Sequence, residues 1–147
     1  MCVPIGYMSA STPIGLVHTP LKLNLLSKSD RISSKDYKTR VTNGEPHVLV
    51  DVRPAHHFKI VSLPKSLNIP LSTLKDKLPA ISSALKEEEV TDSHSGSNAS
   101  LYVICRRGND SQRAVHYLHQ MGFTAARDIV GGLESWASDI DPNFPTY

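Results

Sequence analysis

Two short, continuous apolar runs constrain the fold more than anything else in this chain: residues 47–52 (HVLVDV) and residues 101–104 (LYVI), each ending at once in a polar loop. Runs this short and rich in β-branched residues suit strands covered on both faces, as in parallel sheets packed between helices. Helical patterns alternate with them. Ser33 and Asp36 have the Ser-x-x-acid spacing of a capping box, opening a helix that carries Tyr37 and Val41 on one face and stops at Gly44. Residues 55–60 make one or two helical turns, 66–69 a brief strand closed by Pro70, and 72–77 and 80–89 helices separated by Pro79. Residues 111–121 repeat apolar side chains at Ala114, Val115, Leu118 and Met121, the spacing of a helix with one buried face. Gly122 suits the left-handed position after its last turn, with Phe123 packing back. A strand at 128–130, a turn at Gly131 and Gly132, and a helix at 133–138 carrying Trp136 in the core complete the pattern. The expected architecture is α/β: a parallel β-sheet flanked by helices on both faces.

Length and charge narrow the function. The chain has 147 residues, about one domain, and sixteen Lys plus Arg against fourteen Asp plus Glu leave a net charge of +2, too little for a broad nucleic-acid footprint. No apolar stretch approaches the roughly 20 residues of a membrane-spanning helix. Two cysteines, Cys2 and Cys105, exclude a disulfide scaffold or zinc ribbon and point to a reducing compartment. Residues 1–30 hold Pro4, Pro13 and Pro20 and no charge before Lys22, as expected of an irregular leader or linker remnant, with the domain spanning 31–147. They lack the continuous apolar core of a secretory signal, and the first arginine is Arg31, so neither export nor organelle import is expected. Residues 91–100 (TDSHSGSNAS) read as a solvated loop.

The chemistry concentrates at Cys105, where a strand gives way to a loop leading into a helix, the position of functional sites in open parallel sheets. Gly108 permits a tight loop, and Asn109 or Asp110 can cap the helix. An ordinary thiol, of pKa about 8.5, is only a few per cent thiolate at neutral pH, and lowering it by two units takes about 2.7 kcal/mol of preferential anion stabilisation. Helix-end and cationic contributions of roughly 0.3–1 kcal/mol each supply part of this, with Arg106 and Arg107 as the cationic candidates. A bare cysteine in a strand is more often packing than chemistry; the Arg-Arg-Gly loop and following helix shift the reading towards function.

The loop Cys105 to Asp110 (CRRGND) resembles the six-residue active loop of the rhodanese-like sulfurtransferases. CRRGNDSQRAV, DIVGGLESWA, DVRPAHHF, LPKSLNIPL and the terminal DPNFPTY together resemble the C-terminal rhodanese domain of eukaryotic molybdopterin-synthase adenylyltransferase/sulfurtransferases, the plant forms above all. The resemblance implies a rhodanese-like fold over residues 31–147 and a cytosolic sulfurtransferase. Cys105 would carry a persulfide, the amides of Arg106, Arg107, Gly108, Asn109, Asp110 and Ser111 would cradle its terminal sulfur, and the sulfur would pass to the activated C-terminal glycine of a ubiquitin-like sulfur carrier serving molybdenum-cofactor synthesis, tRNA thiolation or both. Asp51 and Arg53, at the neighbouring strand tip, are supporting residues, or else a surface salt bridge or cap.

Two departures from the family pattern matter. Thiosulfate-using rhodaneses close the loop with a basic residue, whereas Asp110 stands here; a carboxylate at the mouth disfavours a small dianion, so the expected donor is the persulfide of a cysteine desulfurase, unless Asp110 is only a screened helix cap. Full-length members also carry an upstream adenylylating domain with a Gly-rich phosphate loop and a CxxC zinc site. Neither motif occurs here, so no cofactor, ATP or zinc is expected to bind, and the carrier would be activated elsewhere. Cysteine phosphatases need an arginine after five intervening residues, where Ser111 stands instead. His116 and His119, or His56 and His57, complete no metal-ligand set, and solvent-facing histidines are expected. The rival from another class is a non-catalytic rhodanese-like interaction module.

Overall fold

The computed structural model describes residues 22–91 and 98–147. Residues 1–21 of the expected leader, Cys2 among them, and the middle of the polar stretch 91–100 lie outside the described residues. Five strands, β1 (Arg31–Ile32), β2 (His47–Asp51), β3 (Leu67–Asn68), β4 (Ser100–Ile104) and β5 (Arg127–Ile129), form one sheet in the order β1-β5-β4-β2-β3. All the pairings are parallel, with β2 and β4 matched from His47 opposite Ser100 to Asp51 opposite Ile104.

Because side chains alternate along a strand, β2 and β4 feed two cores. Val48, Val50, Val52, Leu101, Val103 and Cys105 share one face with Leu74 and Ile81 and with Ala114, Val115 and Leu118. Leu49, Tyr102, Ile104 and Ile129 share the other with Tyr37, Leu133 and Trp136. Helices α3 (Leu78–Thr91) and α4 (Asp110–Gln120) thus cover one face, and α1 (Ser34–Thr42) and α5 (Gly132–Asp139) the other; α2 (Ala55–Ile60) follows β2. Truncating a fully buried Ile81 or Leu118 to alanine would cost about 2–5 kcal/mol. No helix among the described residues is long and apolar enough to cross a membrane.

Local signals set the helix ends. The Ser33 hydroxyl accepts the Asp36 N–H at 3.0 Å. Gly122, at φ +99°, ends α4; its N–H reaches the His119 carbonyl at 3.3 Å and that of Phe123 reaches Leu118 at 2.9 Å, the two bonds of a Schellman cap. Pro79 separates nothing. It sits in the first turn of α3, where its missing N–H costs no hydrogen bond, and a 3-10 helix at Leu71–Lys77 runs directly into it.

Two expectations need correcting. The chain joins the fold before residue 31: Leu26 is buried, and the N–H groups of Leu23, Leu25 and Leu26 donate to side chains of Asn109 and Gln112. His119 does not face solvent. It is half-buried, and its Nε2 donates to the Ala126 carbonyl at 2.8 Å, tying α4 to the approach to β5.

The strand order creates a switch point. From β2 the chain moves to β3 on one side, and from β4 to β5 on the other, so the carboxyl tips of these adjacent strands flank a crevice.

Candidate active site

Cys105 stands directly after β4 at that crevice and is 4% exposed. Its Sγ accepts the Gly108 N–H at 3.0 Å, and its thiol donates to Ser111 Oγ at 3.3 Å in the first turn of α4. The positive end of the α4 dipole therefore lies against the sulfur. Ser111 in turn donates to Asp128 Oδ2 at 2.7 Å, and Arg31 holds that fully buried carboxylate with both Nε (2.8 Å) and Nη2 (3.0 Å).

Three glycines let the backbone close round the cysteine. Gly108 has φ +89°, and a Cβ there would stand 2.7 Å from the Gly131 nitrogen. Gly132, at φ +58°, lies so close to the Cys105 carbonyl that any side chain would overlap it. This approach lets the start of α5 donate to the loop: Leu133 N–H to the Cys105 carbonyl at 2.9 Å and Glu134 N–H to the Arg106 carbonyl at 3.0 Å. With those carbonyls engaged by α5, the loop is free to turn N–H groups towards the sulfur.

The loop side chains divide. Arg106 and Arg107, the cationic candidates, pair with Glu134 at 3.9 and 3.0 Å, and Arg106 also stacks over the Tyr147 ring at 4.5 Å. Neither is a hydrogen-bond partner of Sγ, whose polar contacts come from Gly108 and Ser111. Asn109 precedes α4 but does not cap it; its Oδ1 accepts the Leu23 N–H at 3.1 Å. Asp110 is exposed and forms a 2.7 Å ion pair with Arg113.

Asp51 and Arg53 are not a surface pair. Both are buried, joined by Arg53 Nη2 to Asp51 Oδ2 at 2.7 Å and Nε to Oδ1 at 3.0 Å, with the Arg53 N–H also on Oδ1. The remaining guanidinium donors reach the Val61 carbonyl (2.7 Å), the His57 carbonyl (3.3 Å) and the Tyr147 hydroxyl (2.8 Å). Burial pulls the Arg53 pKa down, but the hydrogen bonds to Asp51 and Tyr147 outweigh it and leave it above the ordinary arginine value. Tyr147 thus bridges the buried pair and Arg106 of the active loop. His57, in edge-to-face contact with both His56 and Tyr147, has its pKa lowered by partial burial and then by the charges of His56, Arg53 and Arg106.

Sequence reasoning placed Cys105 and its loop but passed over Asp128, Arg31 and Gln112. An acid directly before the apolar pair Ile129 and Val130, three residues ahead of paired glycines, was the available signal for Asp128. Among the described residues no group of three His, Cys, Asp or Glu could hold a metal.

A buried cysteine at a sheet switch point, with one backbone N–H and one serine hydroxyl at its sulfur and no arginine at the phosphatase position, marks the candidate site and sets it apart from a cysteine-phosphatase loop. The rhodanese-like domain family matches residues 33–139, and the chain belongs to that family. It is 58% identical over 127 residues to the Arabidopsis thaliana protein named adenylyltransferase and sulfurtransferase MOCS3, covering 85% of this chain and 27% of that protein. The Mus musculus protein of the same name is 44% identical, covering 85% and 29% respectively. This chain therefore spans less than a third of the length of these curated relatives. Among solved structures, the human single-domain sulfurtransferase TSTD1 has a TM-score of 0.58 at 22% identity, covering 75% of this chain and 96% of that one, a likeness of fold. A rhodanese-related protein from Thermoplasma volcanium has a TM-score of 0.57 at 27% identity, covering 78% and 94%.

Proposed function

We propose that this chain is a sulfurtransferase that carries a persulfide on Cys105 and delivers sulfur to the C-terminal glycine of a ubiquitin-like sulfur carrier, for molybdenum-cofactor synthesis, tRNA thiolation or both. The observation that carries the reading is the buried Cys105 Sγ held by the Gly108 N–H in a loop locked by α5. The thiolate attacks the outer sulfur of a donor persulfide; a new S–S bond forms on Cys105, the donor's S–S bond breaks, and the donor leaves as a thiolate. The outer sulfur of the Cys105 persulfide, an anion stabilised by loop amides, then attacks the activated carbonyl carbon of the carrier and displaces its leaving group, giving an acyl disulfide between carrier and Cys105; two external thiols reduce that S–S bond, leaving as their own disulfide and releasing the carrier thiocarboxylate and the Cys105 thiol.

A cysteine desulfurase is the proposed donor. Asp110 and Arg113 pair with each other at the loop's end, so this pair offers no net positive charge to a small dianion. The cytosol, where thiols stay reduced, is the proposed compartment.

The test is to incubate the protein with a persulfide donor or excess thiosulfate and weigh it intact. One sulfur adduct, mapped to Cys105 and absent from Cys105→Ala, is expected. Wild-type protein that takes up no sulfur would favour the interaction module instead.

A further inference from the structure

We propose that residues 23–26, which precede the matched domain, are a working part of the sulfur site, with Gln112 as the positioning residue that joins them to the loop. This rests on the sulfur-transfer reading above. Gln112 is 1% exposed and lies one residue beyond Ser111 on α4. Its carboxamide makes four hydrogen bonds. Oε1 accepts the N–H groups of Leu25 (3.0 Å) and Leu26 (3.2 Å), while Nε2 donates to the carbonyls of Leu23 and Gly108, both at 2.8 Å. Asn109 adds a fifth stitch by accepting the Leu23 N–H.

A glutamine serving only packing would need its own polar atoms satisfied and nothing more. Here three of its four partners belong to one backbone segment, and the fourth is the carbonyl of Gly108, the residue whose N–H binds Sγ. Arg31 Nη2 donates to the same carbonyl at 3.2 Å. Gly108, at φ +89°, has no side chain to resist rotation of its peptides. Two donors on its carbonyl fix the Gly108–Asn109 peptide plane. Since C=O and N–H point oppositely across a trans peptide, they keep the carbonyl dipole on the Gln112 and Arg31 side and off the side where a persulfide anion would sit. The segment 23–26 orients Gln112, and Gln112 orients the loop. Leu25 is 42% exposed, so at this position the backbone N–H rather than the side chain makes the contact.

The experiment uses the full chain. Leu25→Pro deletes one N–H to Gln112 and leaves the buried side chains in place; Leu25→Ala is its control, and Gln112→Leu removes all four bonds. Amide hydrogen exchange of the peptide containing Gly108 is read beside kcat, KM and the unfolding midpoint. Leu25→Pro should exchange roughly fivefold to tenfold faster around Gly108, about the effect of one lost hydrogen bond, and Gln112→Leu at least as fast again. Their kcat for sulfur transfer should fall by a similar factor at unchanged KM, with Leu25→Ala like wild type. Unchanged exchange around Gly108 would overturn the inference, and so would faster exchange with unchanged kcat. The exchange measurement needs no sulfur transfer: a wild-type chain that takes up no sulfur defeats the proposed function, while exchange still decides whether the segment holds the loop.

Discussion

The tips of β2 and β4 lie side by side, Asp51 opposite Ile104, yet they are built on opposite plans. At the β2 tip the side chains close everything: Arg53 places its donors on Asp51, Val61, His57 and Tyr147, leaving a saturated, permanently charged strut. At the β4 tip the backbone does the holding, through α5 N–H groups on the Cys105 and Arg106 carbonyls, and the sulfur meets one amide and one hydroxyl. The first arrangement has no capacity left for a ligand. The second holds the sulfur in place while leaving it unsaturated, which is what the proposed role of repeatedly gaining and losing a sulfur requires.

If that contrast holds, damage at β2 should appear in stability and damage at β4 in chemistry. Asp51→Ala, which strands the buried Arg53 charge, should cost about 3–5 kcal/mol in urea unfolding while sulfur transfer per folded molecule stays near wild type; lost transfer at undiminished stability would break the comparison. Gly132→Ala joins the two behaviours, because a side chain there overlaps the Cys105 carbonyl. It should lose about 1–3 kcal/mol and slow sulfur loading together, measured by unfolding and by adduct formation on intact protein. Asp110→Arg removes the acid and releases Arg113, so steady-state turnover with thiosulfate should rise severalfold; unchanged kinetics would remove Asp110 from donor choice.

The smallest effect concerns pH. His57 has a lowered pKa when folded, so below the ordinary value of 6.5 the unfolded chain binds more protons. Its contribution is complete above 6.5 and is lost as pH falls from there through the lowered folded value. A His57→Gln variant should therefore show a shallower fall in unfolding midpoint below 6.5 than wild type, a small difference for a half-exposed ring.

The features readable in the sequence were those whose partners lie within a few residues. The Ser33 cap, the Gly122 stop and the apolar face of α4 all belong to this class, and Cys105 was legible because a strand, a loop and a helix follow one another around it. What escaped depends on distance. The segment 23–26 finds Asn109 and Gln112 some 86 residues away, and a two-residue β1 has no periodicity to read. Arg106 and Arg107 sit beside the cysteine in sequence, but Glu134 on α5 engages both. For Asp51 and Arg53 the sequence left supporting residues and a surface pair or cap as alternatives, because nothing local reveals that α2 and Tyr147 cover them.

Both outer strands of the sheet, β1 and β3, are only two residues long. Each therefore offers little unpaired backbone to an incoming strand, and on the β3 side Asn68 turns its side-chain amide back to the carbonyls of Asp51 and Arg53. Short edges of this kind are a defence against edge-to-edge aggregation. A sheet so truncated at its borders gives other chains little backbone to pair with along either flank, so strand addition is disfavoured on both sides at once.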